Sequence, residues 1–157
     1  MKRNADVNGI SVDRLVGHDA NLQGNASIAT EVLWIVVPYT TTQLTRAALR
    51  HSAVCSDLNV QVCLVDVQVV PFPCPLDQPP VNKEYSQNRL QALLAECTVP
   101  GHATVLYTRD WLEAFHRMLT PESLVIIPTK KRWWRTREEK LAGTLRKAGH
   151  EVLLLPL

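Results

Sequence analysis

Residues 32–38, Val-Leu-Trp-Ile-Val-Val-Pro, make an unbroken apolar run of strand length closed by a proline. A strand with apolar side chains on both faces must be covered on both, which is the condition of a parallel sheet between two helical layers. The rest of the sequence repeats that theme. Residues 43–58 carry Leu44, Ala47, Ala48, His51, Val54 and Cys55 at three- and four-residue spacing. This reads as an amphipathic helix with Thr41 or Thr42 as its cap. Residues 59–70 are β-branched and partly alternating, which predicts a second strand.

Residues 71–80 hold five of the chain's ten prolines. Proline has no amide proton and a fixed φ, so this segment is neither helix nor central strand but a stiff connection. A helix is predicted over 81–97 with Tyr85, Leu90, Leu93, Leu94 and Cys97 inward. Pro100-Gly101 signals a turn, and His102–Thr108 a third strand. A short helix with Thr108 as N-cap follows, and Trp111, Phe115 and Met118 or Leu119 make its inner face. Ser123–Pro128 is a fourth strand. Thr136 and Glu139 have the spacing of a capping box, which starts the last helix near 137, and Gly149 stops it. Glu151–Leu157 is a fifth strand. Five strands with four helical crossovers predict a single doubly wound α/β domain, Rossmann-like, with a mostly parallel five-stranded sheet and helices on both faces. The domain spans 31–157. Residues 1–30, rich in Asn, Asp, Gly and Ser with no sustained period, read as a flexible N-terminal arm, with a short element within 7–16.

Charge and cysteine usage narrow the function. Seventeen basic and fifteen acidic residues leave a net charge of +2, which argues against nucleic acid as a partner. Cys55, Cys63, Cys74 and Cys97 show no metal-binding spacing, and are expected as reduced thiols of a cytoplasmic protein. No apolar run is long enough to span a bilayer, and no apolar segment follows Lys2 and Arg3 to make a secretory signal. His18, His51, His102, His116 and His150 have no sequence neighbour that makes a nucleophile pair, and neither a G-x-S-x-G turn nor a P-loop occurs. No catalytic residue and no metal site is expected. Asp66 reads as a capping or loop-facing aspartate rather than a ribose ligand.

The basic charge is local. In Thr-Lys-Lys-Arg-Trp-Trp-Arg-Thr, residues 129–136, four cations surround two tryptophans just before a helix. In doubly wound sheets ligands bind past the carboxyl ends of the strands, where strand order reverses. With the first strand central, that place lies between residues 38–42 and 129–136. Thr40, Thr41, Thr42, Thr129, Lys130, Lys131, Arg132 and Arg135 are therefore candidate contacts for an anion or nucleotide, with the helix terminus adding its dipole. A solvated basic loop is the competing reading. Trp133 and Trp134 are candidate partner contacts. The apolar last strand, Val152, Leu153, Leu154 and Leu155, should lie at a sheet edge and pair with a second copy, unless the N-terminal arm covers it.

The layout of residues 31–157 resembles the universal stress protein (UspA-like) domain. Val-Leu-Trp-Ile-Val-Val-Pro-Tyr-Thr-Thr-Thr looks like that family's first strand and turn, and Ser-Leu-Val-Ile-Ile-Pro-Thr-Lys-Lys like its fourth. Nucleotide-binding members carry G-x-x-G after the fourth strand and a later G-[Ser/Thr]. Here Pro128 and Lys131 stand at the two glycines, and Gly143-Thr144 falls inside the last helix. Thr40 occupies the place of the usual acidic residue. The resemblance thus implies a homodimer through the fifth strand and a non-catalytic regulatory or stress-response domain with no bound cofactor. The alternatives are an ATP or AMP binder whose phosphate contacts come from side chains, and a regulatory domain associated with a transporter or other partner.

Overall fold

The computed structural model describes residues 32–55, 59–121, 123–130 and 136–157. The expectations for the N-terminal arm, for the Cys55 side chain and for Lys131, Arg132, Trp133, Trp134 and Arg135 fall outside the described residues.

Strands β1 (Leu33–Pro38), β2 (Val60–Val69), β3 (Gly101–Thr108), β4 (Leu124–Thr129) and β5 (Glu151–Pro156) alternate with helices α1 (Thr42–Ser52), α2 (Lys83–Ala95), α3 (Trp111–Met118) and α4 (Arg137–Lys147). They form one sheet in the order β3-β2-β1-β4-β5. All four pairings are parallel. β1 is central, as its two-sided apolar character requires: Ile35 and Val37 face one core, Val36 the other. The first core joins the sheet to α1 and α2 through Ala48, Leu49, Leu90 and Leu93. The second joins it to α3 and α4 through Phe115, Leu141 and Leu145.

Four local expectations are corrected. On α1, Leu44 and Ala48 are buried, but the remaining buried positions are Thr45, Leu49 and Ser52. His51 is exposed, and Val54 is 76% exposed because the helix ends at Ser52 and a 3-10 turn over Ala53–Cys55 re-aims the chain. Tyr85, in the first turn of α2, is also exposed. The cap of α3 is Asp110, whose carboxylate accepts from the amides of Leu112 and Glu113 at 2.8 and 3.0 Å. Thr108 instead receives the amide of Asp110 at 3.1 Å. Finally, Gly101 belongs to β3 rather than to a turn before it. A Cβ there would stand 2.5 Å from the Val62 carbonyl oxygen, so a side chain would force β3 away from β2.

Candidate functional site

The chain leaves β1 toward one helical layer and β4 toward the other, so the ends of these neighbouring strands flank the crevice where strand order reverses. Ile35 pairs with Leu124 and Val36 with Val125. Continuing that register sets Thr40 level with Thr129. The topology therefore brings the turns carrying Thr40–Thr42 and Thr129–Lys130 to one end of the sheet.

Their hydroxyls are already engaged to different degrees. Thr41 caps α1, its hydroxyl oxygen accepting from the Leu44 amide at 3.4 Å. Thr42 lies 3.3 Å from the Tyr39 hydroxyl. The Thr40 amide donates to Thr45 Oγ1 at 3.2 Å, while Thr40 Oγ1 is buried without a partner among the described residues. Thr129 is buried, and its hydroxyl sits 3.4 Å from Thr136 Oγ1. Lys130 is exposed.

The start of α4 is partly occupied by its own side chains. Thr136 Oγ1 accepts from the Glu139 amide at 3.2 Å, and the Glu139 carboxylate accepts from the Thr136 amide at 3.1 Å. This is the expected capping box, completed in both directions. Two donors that an anion would use are thus occupied. Glu138 and Glu139 also place negative charge at the positive end of the helix. Pro128, paired with Leu155 inside β4, has no amide proton to offer. Arg137 lays its guanidinium 3.9 Å over the Trp111 ring, fastening α4 to α3. Burial there lowers the Arg137 pKa, and neighbouring Glu138 opposes that shift.

A second polar group lies at the same end of the sheet, on the α1/α2 face. Asp66 in β2 is 7% exposed and neither caps a helix nor faces a loop. Its Oδ2 accepts from Gln68 and from Arg89 of α2, both at 2.8 Å. Gln68 also donates to Ser86 at 2.8 Å. The Arg89 guanidinium stacks 4.3 Å over Tyr39 and 5.8 Å from the centre of Tyr85. Tyr107 of β3, opposite Gln68, has a buried hydroxyl without a partner among the described residues. Burial, and secondarily the negative charge of Asp66, raise its pKa. Asp66, Arg89 and Tyr107 are absent from the sequence-derived candidates. The available signal was a carboxylate flanked by valines in a strand, which must find a partner when buried.

Among the described residues no group of three or more His, Cys, Asp or Glu side chains is placed to hold a metal ion. No described helix is long and apolar enough to cross a membrane. His102 packs edge-on against Trp34 at 5.8 Å, and burial lowers its pKa.

Solved structures share this arrangement. A universal stress family protein from Burkholderia pseudomallei matches with a TM-score of 0.54 at 20% identity, over 79% of this chain and 96% of that one. The fold is UspA-like. A universal stress protein from Archaeoglobus fulgidus matches with a TM-score of 0.50 at 12% identity, over 78% of this chain and 92% of that one. At these identities the likeness is one of fold. No protein-family model and no curated protein matches the sequence.

Proposed function

We propose that this chain is a non-catalytic regulatory or binding domain of UspA-like fold, without the usual ATP loop, that acts as a cytoplasmic homodimer joined through β5. The observation that carries the reading is the start of α4, where the capping box takes up two amides and carboxylates line the first turn. A phosphate loop needs free backbone amides and close approach. Here the N-cap and third helical amides are held by Thr136 and Glu139, two carboxylates stand in the first turn, and Pro128 replaces a donor.

The competing reading is a nucleotide site rebuilt from Lys130, Lys131, Arg132 and Arg135, with Thr40–Thr42 opposite. Calorimetric titration with ATP and AMP, with and without magnesium, separates the two. The expected outcome is no saturable binding at millimolar nucleotide. Saturable binding that disappears in the Lys131→Ala/Arg132→Ala variant overturns the proposal and establishes the rebuilt site.

A further inference from the structure

We propose that Asp66, Gln68 and the ring of Tyr39 form a receptor for a planar cation, and that Arg89 is an occupant supplied by the chain itself. The chemistry is that of guanidinium recognition. A carboxylate takes the N–H edge at 2.8 Å and an aromatic face lies 4.3 Å from the guanidinium carbon. Gln68, held by Ser86, donates to the same carboxylate oxygen. The receptor is therefore built from the residue that follows β1, from β2 and from α2, and the cation is on a long flexible side chain.

Two features make Arg89 a replaceable occupant. Its side chain is 31% exposed while that of Asp66 is 10% exposed, so Arg89 can swing to solvent without opening a core. Its fit is also incomplete. Arg89 Nε is buried without a partner among the described residues, so the fork engages the carboxylate through one nitrogen rather than two. The Tyr107 hydroxyl beside Asp66 is likewise unmet. Buried donors left unpaired weigh against the closed arrangement. The departure of Arg89 uncovers a carboxylate and a tyrosine face, which together select a planar, hydrogen-bonding cation over a compact ammonium. The ligand class is a guanidinium-bearing small molecule or an arginine side chain presented by another protein. This inference is independent of whether nucleotide binds at the β1–β4 crevice.

Chemical complementation tests it. In Arg89→Ala the receptor is vacated, and millimolar methylguanidinium is expected to raise the melting temperature on the order of 3 °C. Methylammonium at equal concentration should leave it unmoved. The wild-type protein, already occupied, should respond less than the variant, and adding Asp66→Asn to Arg89→Ala should abolish the response. Should Arg89→Ala not fold alone, Arg89→Met, which keeps the apolar stem without a cation, takes its place with the same expected ligand order. No stabilisation of the vacated protein, or equal stabilisation by methylammonium or of the wild type, overturns the receptor.

Discussion

Cys63 sits in the middle of β2 with 2% of its surface exposed, against the α3/α4 layer. Burial in apolar surroundings pushes its thiol from about 9 up to about 12. Below the unfolded value both states keep the proton and pH has no leverage through this group. Between the two values the unfolded chain releases its proton while the folded chain holds it, so stability falls as pH rises. The slope is about 1.4 kcal/mol per pH unit. Urea denaturation of wild type and Cys63→Ala should therefore differ by a constant below pH about 9, with the wild type losing ground at that slope above it. A difference that stays flat through that alkaline range removes the argument. The same strand shows what single residues conceal. A carboxylate among apolar neighbours announces that Asp66 is unusual, but its partner Arg89 lies 23 residues away on another element. Periodicity carries no record of such a pairing.

Helix and strand identities were legible because each element announces itself locally. Thr136 and Glu139 have capping-box spacing, and both reciprocal hydrogen bonds form. Gly149, with a φ of 92°, ends α4 as a left-handed C-terminal glycine. Legibility fails where polar residues are buried and satisfied within their own segment. Thr45 is buried because its hydroxyl accepts the Thr40 amide, and Ser52 because it donates to the Leu49 carbonyl at 2.7 Å. Those two positions belong to the inner face of α1, yet no hydrophobicity pattern selects them, and His51 and Val54 were read inward instead. The capping box also gives a stability expectation. Thr136→Ala removes the acceptor of the Glu139 amide and leaves the Glu139 carboxylate with one half of a reciprocal pair. A loss of about 1 kcal/mol is expected, read from the urea midpoint at unchanged m-value. Full retention of the midpoint means that α4 starts without help from Thr136, and that its terminal amides are more available to an anion than the structure suggests.

At the scale of the molecule, the strand order explains why a crevice was legible in the sequence and its polar contacts were not. Alternating strands and helices imply a crevice beside the central strand, and β1 does lie between β2 and β4. What fills the crevice depends on how distant side chains meet, as Asp66 and Arg89 do. The same order leaves β5 at one edge of the sheet. Val152 and Leu154 turn toward the α3/α4 core, whereas Leu153 is 39% exposed and Leu157 52%. An apolar edge strand of this kind is a template for a second copy. Arg146 already holds the Val152 carbonyl, with its nitrogens at 2.8 and 3.3 Å, so pairing with another β5 relies on the later part of the strand and its leucines. A specific interface of standard size buries about 1,600 Å² in total, and charge at its apolar centre is poorly tolerated. Sedimentation velocity of the wild-type protein at tens of micromolar is expected to show a dimer. Leu153→Lys should sediment as a monomer and still fold, because a side chain this exposed in the single chain contributes little to its core. A monomeric wild type, or a dimer indifferent to the lysine, would place any self-association elsewhere and leave β5 as an edge guarded chiefly by Arg146 and the terminal Pro156.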